Sequence, residues 1–472
     1  MSKRARIFSI LFSFCFFVGF AQEMRLSKGS VVDSIPVSDS LSESFAIYLP
    51  HQFREDSNWP VIFVFDPEGR GKSAARLLKD VAEDQSYIIV ATNENLKEDS
   101  LQANLAKASR MMNTVFNALP VDLDQVYAMG LEEGGIVASA IPLVYKKTRG
   151  VLAIGAAWVN PEFVEKSRPY MFSIASGYQD SDQFELLEIT KIYEEEDYPV
   201  EFNYFEGNSE EWPSAGFMNA AVSGLSFRAV SEGLRKNDPA YVKALYENEL
   251  EFAESLRRKQ RYLKAYEKLE QIEEKYETFE DETREMRKNL RRTSLYRQQK
   301  RDYRQAREEE NYRKDLYYSS MGSDLVTQNF ENVGWWAYQM DQLKKLQEKG
   351  NPAQQEMAHR LEGFLDSLSQ YHYNTIHENK ASIDTKILVS ILRTVINKED
   401  PEAYLNIIRL SGNDGDYETA LLYLEDLLKT GYEDMESLYE IPGILDLKFS
   451  KEYNELIFKY LGKSKYYEEA LN

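Results

Sequence analysis

Cysteine is almost missing: Cys15 is the only one in 472 residues, and it lies inside the apolar stretch Ile7 to Phe20. No disulfide and no thiolate metal site can therefore hold the remainder together. Histidine is nearly as scarce, with His51, His359, His372 and His377 making up the full set. After Phe20 no segment approaches the roughly 20 apolar residues needed to span a bilayer. Positive charge is short as well: 57 Lys and Arg stand against 78 Asp and Glu, a formal net charge of -21. Such a surface argues against a general binder of nucleic acid or anionic membrane, because phosphate backbones reward basic surfaces. Cationic ligands or ions fit it better. No cofactor is expected.

What is present begins with a leader pattern. Lys3, Arg4 and Arg6 precede Ile7 to Phe20 and then Ala21-Gln22, the basic, apolar and small-residue order of a secretory signal peptide cut near Gln22. Phe14 stands where a lipoprotein signal wants a small residue before the cysteine, which argues against a lipid anchor. A soluble, exported, periplasmic protein is expected. Its length favours two or more domains.

From about residue 42, short apolar β-branched runs alternate with helical stretches, the pattern of a mostly parallel sheet covered on both faces. The predicted strands are Phe45 to Leu49, Val61 to Phe65, Tyr87 to Ala91, Gln125 to Met129, Val151 to Gly155, Met171 to Ala175 and Val200 to Phe205. Helices are predicted around Ala74 to Glu83, Leu101 to Leu119, Ile136 to Lys146, Gln183 to Tyr193 and Ala215 to Glu232. Residues Gly130-Leu131-Glu132-Glu133-Gly134-Gly135 have the shape of a nucleophile elbow, a sharp strand-to-helix turn that needs glycines around a projecting side chain.

This order resembles the α/β-hydrolase fold, in particular its small secreted esterase and depolymerase-like branch, over roughly residues 42 to 235. Ala46 to Pro50 and Pro60 to Phe65 are similar to the family's opening strands, and Asp66 to Gly71 stands where its oxyanion loop would be. Gly177 to Asp182 resembles the loop of the triad acid, and Gly207-Asn208-Ser209-Glu210-Glu211-Trp212-Pro213 the Gly-His-x-Trp-Pro loop of the triad histidine. The resemblance implies Glu132 as nucleophile, Asp180 or Asp182 as acid and Glu210 as base. Only the acid survives. A serine nucleophile needs a neighbouring base with a pKa near neutrality, and the first domain has His51 alone. The expectation is a hydrolase scaffold without hydrolase chemistry. Glu132 is expected to set its carboxylate against the N-H groups of the following helix as a resident anion. The alternative is an esterase with unconventional residues, borrowing a histidine from the second half.

Eight acids sit on loops after strands: Asp66, Glu68, Glu132, Glu133, Asp180, Asp182, Glu210 and Glu211. Ligands of open α/β sheets bind at the carboxyl ends of the strands, so Asp66, Glu68, Glu133 and Asp182 are candidate binding residues. Calcium at Glu132, Glu133, Asp180 and Asp182 is a weaker alternative. Asp66 to Ser73 resembles a P-loop except for its first glycine, but Asp66 would repel phosphate and Pro67 lacks an N-H.

Beyond Asn237-Asp238-Pro239 glycine becomes rare and apolar residues recur at helical spacing, which sets the expected domains at 1–22, 23–237 and 238–472. Tyr262, Ala265, Leu269 and Ile272 share their spacing with Tyr417, Ala420, Leu424 and Leu427, with Ala253 and Ile408 nine residues before each tyrosine. The spacing resembles the tetratricopeptide repeat, which implies antiparallel helix pairs that present a surface to a protein or peptide. Leu438, Ile444, Leu445, Leu447, Phe449 and Tyr453 are expected to close the array. Two features are candidate partner surfaces. One is Arg284 to Arg307, with ten basic residues against Glu285 and Asp302; the other is the pair Trp335 and Trp336, of which at least one is expected in the core.

Overall fold

The computed structural model describes residues 26–164 and 169–466, so the predicted leader lies outside the described residues. Eight strands form one sheet: β1 (Val31–Pro36), β2 (Ser44–Tyr48), β3 (Trp59–Phe65), β4 (Ile88–Thr92), β5 (Val121–Leu131), β6 (Thr148–Ile154), β7 (Met171–Gly177) and β8 (Val200–Phe205). Their spatial order is β1-β2-β4-β3-β5-β6-β7-β8. β1 and β2 pair antiparallel, as do β2 and β4, and every later pairing is parallel. Parallel strands buried on both faces read as unbroken apolar runs, as Pro60 to Phe65 does.

Six helices cover the sheet: α1 (Gly71–Leu77), α2 (Lys79–Gln85), α3 (Leu101–Ala118), α4 (Glu133–Val144), α5 (Gln183–Glu195) and α6 (Ala215–Ser231). Successive strand side chains point to opposite faces. Val61 and Phe63 therefore pack with Val115 of α3, Ile141 of α4 and Leu186 of α5. Ile62 and Val64 pack instead with Ala74 of α1, Val81 of α2 and Leu225 of α6. The single helix predicted over Ala74 to Glu83 is divided at Leu78 into α1 and α2.

The rest of the described chain is helical. Asp238 opens it by accepting a hydrogen bond from Ala240 N, with Pro239 in the first turn. The helices are α7 (Pro239–Arg258), α8 (Tyr262–Lys275), α9 (Glu280–Arg292), α10 (Ser294–Thr327), α11 (Val333–Lys349), α12 (Pro352–Glu378), α13 (Ile383–Ile396), α14 (Pro401–Asp414) and α15 (Tyr417–Lys429). The short α16 (Met435–Glu440), α17 (Leu445–Phe449) and α18 (Lys451–Leu461) follow. Ala253, Ala265, Leu269 and Ile272 are buried between α7 and α8, as are Ile408, Ala420, Leu424 and Leu427 between α14 and α15. The two tyrosines that share a repeat position differ: Tyr262 is half-buried, whereas Tyr417 is exposed. Leu438, Ile444, Leu447 and Tyr453 close the far end, whereas Leu445 and Phe449 face solvent.

The helical region lies directly on the sheet. Gln271 Nε2 of α8 donates to the carbonyl of Phe202 in β8 at 3.0 Å. Arg360 of α12 donates to the carbonyl of Tyr178 at 2.5 Å, while its other guanidinium nitrogens bind Glu310. Gly363 of α12 lets the helix approach so closely that a Cβ there would sit 2.8 Å from Ser181. The loop carrying Asp180 and Asp182 is thus held against α12. Among the described residues no helix is long and apolar enough to cross a membrane.

Candidate functional site

The turn between β5 and α4 has the backbone that its glycines predict. Glu132 sits at φ 49°, ψ -118°, a left-handed conformation costing a non-glycine residue roughly 1–3 kcal/mol. Gly134 permits the close approach, because a Cβ on it would lie 1.9 Å from the carbonyl oxygen of Phe65. Such a turn thrusts one side chain out above the strand ends.

That side chain does not cap its own helix. No hydrogen bond joins the Glu132 carboxyl to the first turn of α4, which corrects the expectation of a resident anion. It turns instead toward Gly155 and Ser209: a Cβ on Gly155 would fall 2.1 Å from Glu132 Oε1 and 2.4 Å from Ser209 Cβ. Burial raises its pKa from 4.5 to about 8, and the charges of Asp180, Glu133, Asp182 and Glu210 push the same way. At neutral pH the group is a protonated acid, able to donate a hydrogen bond and a poor nucleophile. Gly155 itself is at φ +78°. Gly155→Ala should therefore lower unfolding stability by roughly 2 kcal/mol in a thermal melt, through backbone strain and the clash with Glu132.

Asp180 follows β7 and is closely held. Its Oδ1 accepts from Ser209 N at 2.8 Å, and its Oδ2 from Gly177 N at 2.6 Å, Ser176 Oγ at 3.2 Å and Ser209 Oγ at 2.5 Å. Burial still raises its pKa, against the pull of these donors. Ser209, 2% exposed, thus occupies the position beside the acid that was expected for Glu210. Glu210 is exposed on the rim, and a serine there cannot supply a base with a pKa near neutrality. None of the four histidines hydrogen-bonds Glu132 or Asp180: His51 is engaged by Glu83 and His377 by Ser390, while His359 stands in the opposite wall of the cleft.

Asp66 is corrected as well. It is 1% exposed and accepts from the amides of Glu68 and Arg70, from Arg70 Nε and from Trp212 Nε1 at 2.7 Å. Burial would raise its pKa, but these donors hold it below the usual range. Asp66 fastens the loop after β3 to the loop after β8 and has no free oxygen for a ligand. It also consumes amides that a phosphate would need. Trp336 is likewise no surface anchor: it is fully buried, its Nε1 donating to Asp324 at 2.9 Å. Trp335 is half-buried, edge-on to it at 4.8 Å.

Glu68, Glu132, Glu133, Asp180, Asp182 and Glu210 meet in one open cleft of about 1630 Å³ above the strand ends. Its other wall comes from α11 to α15 and includes Asp341, Glu362, Asp366, Glu399 and Asp426, with Tyr404 and Tyr423. Eleven carboxyl groups face four lysines there, Lys97, Lys344, Lys398 and Lys429. Glu68 is offset by Arg70 and Lys97 at 3.1 Å each. Among the described residues, Glu133, Asp182 and Glu210 form no ion pair within 4 Å, although the charge of Asp182 acts on Lys314, and the buried Oε2 of Glu133 has no hydrogen-bond donor. The described residues contain no group of three or more His, Cys, Asp or Glu arranged to hold a metal ion. The oxygens of Asp180, one of the four suggested for calcium, are already taken by protein donors.

No family model matches the chain, and no curated protein is similar to it in sequence. Among solved structures, a thermostable esterase is 12% identical, with a TM-score of 0.34 over 43% of this chain and 63% of its own, so the chain spans less than two thirds of that protein. An esterase of Pyrobaculum calidifontis gives 12% and 0.33 over 44% of this chain and 83% of that one. A thermophilic esterase of Thermogutta terrifontis gives 13% and 0.35 over 44% and 95%.

Proposed function

We propose that this protein binds a cationic ligand, a basic peptide segment, in the cleft between the strand ends and the helices, on a hydrolase-type scaffold without acyl-transfer chemistry. The observation that carries the reading is that Glu133, Asp182 and Glu210, which form no ion pair among the described residues, converge on an open cleft whose elbow lacks both serine and histidine. On this reading residues 1–22 are an export leader, 23–237 the degenerate hydrolase unit, and 238–472 a tetratricopeptide-like unit that supplies the second wall to a protein or peptide partner in the periplasm.

An oligolysine peptide titrated into the purified protein at low salt should bind, and added salt should weaken it. Combining Glu133→Gln, Asp182→Asn and Glu210→Gln should reduce the affinity at least about tenfold, or 1.4 kcal/mol. Undiminished binding by that variant would overturn the reading.

A second reading, a hydrolase with unconventional residues, is favoured by one observation: Glu132 keeps the strained elbow backbone with a carboxyl that titrates near 8. Hydrolysis of short acyl esters that Glu132→Gln abolishes would establish it.

A further inference from the structure

The basic run Arg284 to Arg307 belongs to no part of the cleft, and the structure divides it. Arg284 and Arg287 turn toward Glu270, Glu273 and Asp281, and Lys288 pairs with Glu285. Arg297, Lys300, Arg301, Arg304 and Arg307 on α10 are exposed and, among the described residues, form no ion pair; exposed Arg291 and Arg292 precede them at the end of α9. Their spacing of three and four places the five on one face, opposite the buried Gln299 and Ala306. The stripe is about 15 Å long at 1.5 Å per residue. Exposed Glu308 ends it.

Seven cations without an ion pair, of which Arg297 donates to the carbonyls of Arg292 and Thr293, repel one another, in a chain with 21 more formal negative than positive charges to offer them. We propose that this stripe docks an extended acidic segment of a partner protein. Six of the seven are arginines, whose forked donors fit carboxylates two bonds at a time. A membrane or a nucleic-acid duplex fits less well, because its broad anionic surface would come within a Debye length, about 8 Å, of the acidic remainder of the protein. Single-stranded nucleic acid would need exposed aromatic platforms for its bases. Within the stripe the tyrosines provide none: Tyr296 is buried, and Tyr303 binds Glu356 through its hydroxyl while Lys264 lies 4.4 Å from its ring. The exposed tyrosines of α10, Tyr312 and Tyr318, lie beyond its end at Glu308, so the oligothymidylate titration decides for or against this occupant. An acidic peptide satisfies the stripe along a narrow line.

The test is fluorescence anisotropy with the full chain and a labelled decaglutamate peptide at low salt. Parallel titrations use a glutamine peptide, phosphatidylserine vesicles and oligothymidylate. Decaglutamate should bind most tightly, and the combined Arg297→Ala, Arg301→Ala and Arg304→Ala variant should lose at least about tenfold in affinity with unchanged helical circular dichroism. The corresponding arginine-to-lysine variant, which keeps charge but loses the fork, should fall between the two. Absent or unchanged decaglutamate binding would overturn the proposal. So would tighter binding to the vesicles or the oligonucleotide, or a dimer in sedimentation that the alanine variant lacks, since a second copy would then cover the stripe.

Discussion

Glu249→Gln should cost about 3–5 kcal/mol of unfolding free energy at neutral pH, because it removes one member of a buried charge network and strands the others. Glu249 of α7 is 0% exposed and accepts from Lys268 at 2.7 Å, from Lys275 at 2.8 and 3.1 Å and from Tyr276 at 2.9 Å. Lys275 also binds Glu201 of β8 at 2.8 Å, so the network ties the edge strand to the first helical pair. With glutamine at 249, two ammonium groups share the single carboxylate of Glu201. Replacing Glu201, Glu249, Lys268 and Lys275 together by leucine and methionine should recover much of the loss, since Glu201, whose cation partners are the two lysines, is then not left as a buried charge without a partner.

The pH dependence has a definite sign. Burial alone would raise the pKa of Glu249, but Lys268 and Lys275 overcome it and bring the group from 4.5 down to about 2. The folded state therefore binds fewer protons than the unfolded one between these values. This contribution is fully present above about pH 4.5 and is lost as pH falls toward 2. Urea midpoints at several pH values should drop on acidification in the wild type and less in the glutamine variant. A glutamine variant with the wild-type midpoint at pH 7 would show that the network does not hold the seam.

The parallel strands were legible because helices bury them on both faces, leaving apolar runs that polar spacing cannot interrupt. β1 carries no such signal, for the opposite reason. It is an edge strand with half-buried and exposed residues and an irregular register, Ser34 at φ 56° between its paired ends. At the site, glycine spacing located Glu132 and a glycine-led acidic loop located Asp180. The place of Ser209 was not legible, because the loop from Gly207 to Trp212 carries more residues than the pattern it was matched to. Asp66 and Glu68 look alike in sequence; only folding reveals that Trp212, 146 positions on, occupies an oxygen of the first. The helical wall of the cleft left no local signal, since its residues meet Glu132 only through tertiary packing.

Glu132→Gln should stabilise the protein above pH 8 by up to roughly 5 kcal/mol, the value of a shift from 4.5 to about 8. The folded state holds this proton more tightly than the unfolded chain does. Its contribution is therefore fully present below about pH 4.5 and is lost as pH rises through about 8. Wild-type urea midpoints should decline across that window relative to those of the variant, whose amide keeps the shape of the protonated acid. The difference between the two proteins isolates Glu132 from Asp180, whose raised pKa tilts both curves alike. Function should follow the same titration. If the cleft binds cations, oligolysine affinity should rise as pH passes 8 in the wild type and stay level in Glu132→Gln. If the elbow still performs chemistry, ester hydrolysis should instead switch on across that interval and be absent from the variant, because only the ionised carboxylate is a nucleophile.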